Sequence, residues 1–292
     1  MRTLFLSLTA IGLASMAQAE ITEQVVTLSS GGQPFVGTLA TPAGDPAPVV
    51  LLLHGFTGAR NELATDHVSA GVFAHSAQKL GEAGFASLRI DFRGSGESTA
   101  DLSFADTTFE GQIADAAAAV DYLAGLDSVD GQDIHVIGWS QGGLVAASLA
   151  GRGAAVDTVS LWNAVGDPTA TYGGLLGAEF LTEAIAASAD EVITATLPWG
   201  AEIELKGAFF DGIAAHDPIK EIAGYSGPLF VATGTNDTVV LPENGEAFMA
   251  AHDGAEVLWS AEMDHVFNVF GTGETLDLML AETIGFIQAH DD

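Results

Sequence analysis

The sequence contains no cysteine and only eight lysine and arginine residues. Without cysteine, the chain can form neither a disulfide nor a cysteine nucleophile. The few cations stand against 39 aspartate and glutamate residues, and the formal net charge is −31 at pH 7. Nucleic-acid binding and binding to anionic membranes both require cationic side chains, so this balance argues against either partner. The acidity itself favours solubility.

Charged residues are scarce as well, at 16% of the chain, whereas hydrophobic residues make up 48%. A chain with this composition can bury a large core, so global disorder is excluded. Its 292 residues exceed the usual domain length, but a large α/β sheet can use them as one unit.

The first nineteen residues have the pattern of a signal peptide. Arg2 supplies the positive charge, residues 4–14 are apolar, and Ala17-Gln18-Ala19 is a small-x-small cleavage site. We therefore expect a mature chain that begins near Glu20 and is periplasmic or secreted. A retained anchor is the alternative, but the apolar run is short for a bilayer. No later segment is apolar and long enough to span a membrane, so no membrane span is expected after cleavage.

Strand-like and helix-like segments alternate along the rest of the chain. This alternation predicts an α/β fold whose mostly parallel sheet, of about eight strands, is covered by helices on both faces. The predicted strands are 21–28, 34–40, 48–53, 86–90, 134–137, 158–162, 228–233 and 256–259. The clearest predicted helices are 75–83, 109–123, 142–149, 243–251 and 275–290.

One interval breaks the alternation, since about 65 residues separate the strands at 158–162 and 228–233, more than one crossover helix needs. We interpret the surplus as a small inserted cap over residues 165–212 that covers a pocket. A helical excursion without a role in binding is the alternative.

The strongest motif is Gly138-Trp139-Ser140-Gln141-Gly142, which has the form G-x-S-x-G. It directly follows an apolar strand and directly precedes a small-residue helix, which is the context of a nucleophile elbow. Such a turn exposes a strained serine at the end of the sheet. Ser140 is therefore the candidate nucleophile.

A base and an acid are expected after the nucleophile, in the order Ser, Asp, His. His265 lies in a loop between the last strand and the last helix, and Asp237 follows a buried strand and a glycine turn. His265 would take the serine proton, and Asp237 would orient the imidazole. Asp264 is a competitor for the acid, interpreted as a loop-shaping carboxylate, and His252 and His290 are expected at the surface.

Two backbone N–H groups should form an oxyanion hole, one from Gln141 and one from Phe56 in the loop His54-Gly55-Phe56-Thr57-Gly58. His54 is interpreted as a structural support for that loop. The predicted chemistry requires no cofactor. No metal site is expected either, because the eight histidines form no recognised ligand motif.

These motifs together resemble the α/β-hydrolase superfamily, and more narrowly the bacterial cinnamoyl (feruloyl) esterases. The narrower resemblance lies in residues 54–58, 91–98 (DFRGSGES) and 140–151 (SQGGLVAASLAG), although Trp139 stands where that group has histidine. It implies an α/β-hydrolase fold with Ser140, Asp237 and His265 as the triad, and a small-molecule hydroxycinnamoyl ester as substrate.

Aromatic residues in and near the cap could stack on such an acyl group, or could simply form the cap's own core. The candidates for substrate binding are Trp139, Tyr172, Phe180, Trp199, Phe209 and Phe210. A general short-chain carboxylesterase or a lipase-like enzyme remains open as an alternative, as does a non-catalytic binding protein of the same fold. The sequence does not indicate the oligomeric state.

Overall fold

Eight strands form the main sheet of the protein, whose computed structural model describes residues 20–291. The predicted signal peptide, residues 1–19, lies outside the described residues. In chain order the strands are β1 (Ile21–Ser30), β2 (Gln33–Pro42), β3 (Ala47–Leu53), β4 (Ala86–Ile90), β5 (Val129–Trp139), β6 (Thr158–Trp162), β9 (Leu229–Gly234) and β10 (Glu256–Ala261), with β7 (Val192–Thr196) and β8 (Glu202–Lys206) forming a separate two-stranded sheet.

The order across the main sheet is β1-β2-β4-β3-β5-β6-β9-β10. The β1–β2 hairpin and the β2–β4 pair are antiparallel, and every other neighbouring pair is parallel. The central strand β3 is a continuous apolar run, and β6 is buried at every position, as expected for strands covered on both faces. The predicted α/β architecture with eight mostly parallel strands is confirmed.

Helices pack on both faces of the sheet. They are α1 (Val72–Glu82), α2 (Phe109–Ala124), α3 (Gln141–Gly151), α4 (Pro168–Leu176), α5 (Ala178–Ile185), α6 (Gly207–Ala215), α7 (Pro218–Ile222), α8 (Glu243–Ala251) and α9 (Glu274–Gln288). One core cluster joins α1 and α9 to one face, and the other joins α2, α3 and α8 to the opposite face. Within residues 20–291, none of these helices has the length and apolar character that a bilayer crossing requires.

The segment between β6 and β9 contains more helices and strands than the single crossover helix that joins two parallel strands. The predicted cap interval, residues 165–212, contains α4, α5, the antiparallel pair β7–β8 and most of α6. We call residues 168–215 the cap. An ion pair between Lys206 and Asp106 ties it to a 3-10 turn (Phe104–Asp106) that precedes α2. The cap thus lies next to the carboxyl ends of the parallel strands, where open α/β sheets bind their ligands.

Candidate active site

A sharp turn between β5 and α3 carries Ser140. The serine has φ 57° and ψ −117°, a strained combination for a residue with a side chain. The strand and the helix approach so closely that a Cβ on Gly138 would lie 2.2 Å from the carbonyl oxygen of Gly142. Small residues at both positions therefore allow the turn to present Ser140 at the first turn of α3, close to the positive end of the helix dipole.

Ser140, His265 and Asp237 form a continuous chain of hydrogen bonds. His265 Nε2 lies 3.0 Å from Ser140 Oγ, and His265 Nδ1 lies 2.7 Å from Asp237 Oδ2. The other carboxylate oxygen of Asp237 accepts the N–H groups of Val239 and Val240 at 2.8 and 2.9 Å. The acid is therefore fixed on both oxygens, and the imidazole can accept the serine proton at Nε2.

The expected oxyanion donors flank this serine. Among residues 20–291, the N–H groups of Phe56 and Gln141 are paired with no loop, turn or side-chain acceptor. The loop bearing Phe56 passes directly beside the nucleophile, since a Cβ on Gly55 would lie 3.3 Å from Ser140 Cβ. Both N–H groups are thus available to an oxyanion formed at Ser140.

The carboxyl group of half-buried Glu62 supports the loop that carries Phe56. Glu62 Oε1 accepts the N–H of Gly55 at 2.6 Å, and a Cβ on Gly58 would lie 2.4 Å from the same oxygen. Burial raises the pKa of Glu62 to about 8, repulsion from Asp91 acts in the same direction, and the bond from Gly55 opposes both. Glu62 is therefore mostly protonated at pH 7, which keeps a negative charge away from the oxyanion donors.

We expect turnover at Ser140 to decline as the pH rises through 8, by roughly tenfold, because ionised Glu62 would repel negative charge that develops on a bound substrate. The free energy of unfolding should also fall as the pH rises. The pKa of Glu62 in the folded chain lies above its ordinary value of 4.5, so the free energy of unfolding falls as the pH rises from about 4.5 to 8. Glu62→Gln should remove the alkaline decline in kcat, measured as a pH–rate profile.

Glu246→Gln, on the exposed side of α8, is the matched control and should keep the wild-type profile. An unchanged alkaline limb in Glu62→Gln would exclude Glu62 as its cause.

His54 is a second support of this loop. Its Nδ1 lies 2.8 Å from the carbonyl oxygen of Gly55, and its Nε2 accepts the N–H of Phe92 at 3.2 Å. Burial lowers the pKa of His54 to about 4, against opposing contributions from the Gly55 bond and from Asp91. A neutral ring with both nitrogens engaged holds the loop in place and is not free to transfer protons.

Asn163 connects the loops of the base and of the acid. Its Nδ2 donates to the carbonyl oxygens of Asp264 and His265 at 3.2 and 3.1 Å, and its Oδ1 accepts the N–H of Gly234 at 2.8 Å. Sequence reasoning missed both Asn163 and Glu62. The signal in the sequence for Asn163 is its position directly after strand β6, at the edge of the sheet where the other site residues lie.

Trp139 lies beneath the base. Its Nε1 donates to the carbonyl oxygen of His265 at 3.1 Å, and the two rings lie 5.8 Å apart between centroids. The indole also packs on Phe267. Trp139, a predicted substrate contact, thus touches and positions the histidine loop.

The cap aromatics fall into three groups. Tyr172 and Phe209 pack directly on Phe56, with ring centroids 5.3 and 5.4 Å away. Phe180 and Phe210 pack on each other, 6.0 Å apart, within the cap. Trp199 is 65% exposed in the turn that joins β7 to β8.

A buried chain of hydrogen bonds links the cap to the elbow. The Tyr172 hydroxyl donates to Gln141 Oε1, Gln141 Nε2 donates to Gln112 Oε1 at 2.6 Å, and Gln112 Nε2 donates to Thr107 Oγ1 at 3.2 Å. Burial raises the pKa of Tyr172 well above its usual value, so its hydroxyl remains a donor. The side chain of one oxyanion residue is therefore held by the cap.

An open cavity of about 710 Å³ lies between the cap and the sheet edge. Its walls come from the loop after β3 (Thr57, Gly58), the loop after β4 and the cap strands β7 and β8. Ser140 is not among the described residues that line it, so this cavity does not enclose the serine.

Asp264, the alternative candidate for the acid, has a structural role. Its Oδ1 accepts the N–H groups of Val266 and Asn268 at 3.1 and 2.7 Å and so shapes the loop that carries His265.

The two other histidines that follow the elbow are less exposed than a surface position implies. His290 is half-buried, with Nδ1 2.8 Å from the carbonyl oxygen of Phe286. The expectation of a solvated His252 is wrong: the residue is only 7% exposed, and its Nε2 lies 2.9 Å from the carbonyl oxygen of Gly227.

Comparison with known proteins agrees with this architecture. A family model described as the alpha/beta hydrolase fold matches residues 48–166, from β3 to just beyond β6. No protein with a curated description matches the sequence.

Several solved structures are similar over nearly the whole chain. Est1E from Butyrivibrio proteoclasticus with ferulic acid bound has a TM-score of 0.72 at 23% identity, covering 91% of this chain and 98% of its own. The alpha/beta hydrolase GrgF from Penicillium sp. sh18 has a TM-score of 0.74 at 16% identity, covering 92% and 99%. The esterase domain of a Rhodothermus marinus protein has a TM-score of 0.67 at 21% identity, covering 93% and 100%. The chain has the α/β-hydrolase fold, as the sequence predicted.

Proposed function

We propose that the protein is a serine hydrolase that cleaves carboxylic esters through an acyl-enzyme. The observation that carries the proposal is the linear arrangement of Ser140, His265 and Asp237, with hydrogen-bond distances of 3.0 and 2.7 Å. Two N–H groups that find no acceptor within residues 20–291, those of Phe56 and Gln141, accompany it. A nucleophile, a base, an orienting acid and an oxyanion hole are together the parts that acyl transfer requires.

The geometry defines the proposed steps. Ser140 Oγ attacks the ester carbonyl carbon while its proton passes to His265 Nε2. The carbonyl oxygen gains negative charge and receives hydrogen bonds from the two N–H groups. His265 then returns the proton to the departing alcohol, which leaves an acyl group on Ser140. A water molecule, activated by the same imidazole, releases the acid and regenerates the serine.

For the substrate, we propose a hydroxycinnamoyl ester such as a feruloyl ester. Support comes from the resemblance of three motif regions to cinnamoyl esterases and from Est1E, a structure of the same fold with ferulic acid bound. The aromatic surroundings of Phe56 are consistent with a flat acyl group nearby.

A general short-chain carboxylesterase is the second candidate, and one observation favours it. Tyr172, Phe209 and Phe210 are each at most 1% exposed, so they are already packed against other rings. Rings in that state contribute to the cap's own core and leave little surface for stacking on an aromatic acyl group.

Hydrolysis of methyl ferulate measured beside p-nitrophenyl butyrate separates the two candidates, with Ser140→Ala as the blank. For a feruloyl esterase we expect kcat/KM for methyl ferulate to exceed that for the butyrate by at least about tenfold, a difference of ~1.4 kcal/mol in transition-state binding. Ser188→Ala, at an exposed position in the cap, is a suitable control and should behave as wild type on both esters.

Cleavage of the butyrate alone would favour the short-chain carboxylesterase. Activity no greater than that of the blank on either ester would contradict both candidates and favour a binding protein of the same fold.

We further propose that the protein is exported and that residues 1–19 are removed. The charged, apolar and small-residue regions of that segment support this. N-terminal sequencing of protein recovered from the periplasm or the medium should begin at Glu20. Recovery in the cytoplasm with Met1 intact would contradict export.

A further inference from the structure

Three potential metal ligands converge at the end of the sheet away from the candidate active site. They are Asp133 and His135 of β5 and Asp291, which follows α9. One nitrogen or oxygen atom of each lies within 4.8 Å of the other two. Five residues of extended strand separate His135 from Ser140, roughly 16 Å at 3.3 Å per residue. The cluster is therefore separate from the triad.

The histidine supplies an observation independent of the acidic residues. His135 is fully buried, and its Nδ1 lies 3.0 Å from Thr158 Oγ1. Its Nε2 makes no hydrogen bond within residues 20–291, although it lies 3.1 Å from Asp133 Oδ1. When Nδ1–H donates to Thr158, Nε2 presents a lone pair toward the two carboxylates. Metal-binding histidines are commonly fixed in this way, with the second ring nitrogen bonded to an oxygen.

The surroundings of the cluster add negative charge. A cavity of about 400 Å³ reaches the cluster and is lined by Asp130, Asp133, Asp157 and His290, with Gln132, Pro228 and Ala289. Among residues 20–291, no lysine or arginine lines it. The carboxyl end of α9, which carries a partial negative charge, ends three residues before Asp291. The whole chain carries a net charge of −31, and the negative potential that results raises the local concentration of cations around such a site.

We propose that Asp133, His135 and Asp291 bind one divalent transition-metal ion of the zinc type. One imidazole nitrogen and two carboxylate oxygens suit zinc, which takes four ligands and can complete its shell with water. Calcium and magnesium fit less well, because both prefer oxygen ligands. The bound ion would fasten the segment after α9 to the central strand β5. The ligands do not form a sequence motif, since 156 positions separate His135 from Asp291.

The test is calorimetric titration of Zn²⁺ into the purified full-length protein after treatment with EDTA. We expect one saturable Zn²⁺ site per chain, and a melting temperature that rises with Zn²⁺ and not with an equal concentration of Mg²⁺. Asp291→Asn should weaken Zn²⁺ binding by at least about tenfold, and Thr158→Val, which changes no charge, by about tenfold through the lost support of His135.

Asp45→Asn is the matched control, because it removes the same charge from an exposed loop between β2 and β3 and should leave the affinity unchanged. Absence of saturable binding in the wild type would overturn the proposal. Equal losses in Asp291→Asn and Asp45→Asn would also overturn it, since the binding would then reflect only the general acidity of the chain.

Discussion

Ser140→Ala and His265→Ala should each lower kcat for ester hydrolysis by about 10⁴- to 10⁶-fold, with little change in KM. Ser140→Ala leaves no oxygen to attack the carbonyl, and His265→Ala removes the nitrogen that lies 3.0 Å from Ser140 Oγ and would take its proton. The oxyanion donors stay in place in both variants, so some catalysis over water should remain. Because nucleophile and base act as one unit, the double variant should be no slower than the slower single variant.

Two controls test whether these losses of activity come from the missing catalytic group or from misfolding. Ser140→Ala should keep the wild-type circular dichroism spectrum and melting temperature, since the substitution removes one oxygen from a nearly buried side chain. Ser188→Ala, at an exposed position in the cap, should retain full activity. Residual activity above about 1% in either triad variant would contradict the assigned roles.

The largest effect on stability is expected from Gly142→Ala. An added Cβ at Gly142 would lie 2.0 Å from the carbonyl oxygen of Leu53 and 2.6 Å from that of His54. Both are backbone atoms at the end of the central strand β3, so no side-chain rotation can relieve the clash. Helix α3 would have to move away from the sheet, which we expect to cost at least about 3 kcal/mol.

Thermal unfolding measures this effect, and a loss of that size corresponds to a melting temperature lower by about 10 °C. Gly174→Ala in helix α4 is the matched control. A Cβ there meets no atom within 4 Å, and alanine favours helix, so its melting temperature should equal or exceed that of wild type. Equal melting temperatures for the two variants would contradict the close packing assigned to the elbow.

The fold could be predicted because the central strands carry a clear signal. The predicted strands at 86–90 and 158–162 coincide with β4 and β6, which are short and buried at every position. β5 begins at Val129, five residues before the predicted start, because its first half is polar and breaks register beside Pro48. The hairpin β7–β8 was not predicted, since its strands are only five residues long and largely exposed.

Some residues of the site could be predicted from the sequence, and others could not. Ser140, Asp237 and His265 each follow a strand or its turn, and parallel strands bring such positions to one edge. Glu62 and Asn163 act through backbone contacts with other loops, and those contacts exist only after the chain has packed. The exposure of Trp199 could not be predicted either, because composition does not distinguish the surface of a cap from its interior.

The most direct measurement is labelling of the purified protein with a fluorophosphonate, followed by intact mass and peptide mapping. We expect one adduct per chain, located on Ser140, with labelling slowed by at least about 100-fold in His265→Ala because the serine loses its base. Exposed Ser188 should remain unlabelled. An unmodified wild-type protein, or an adduct that persists in Ser140→Ala, would contradict the claim that Ser140 is an activated nucleophile.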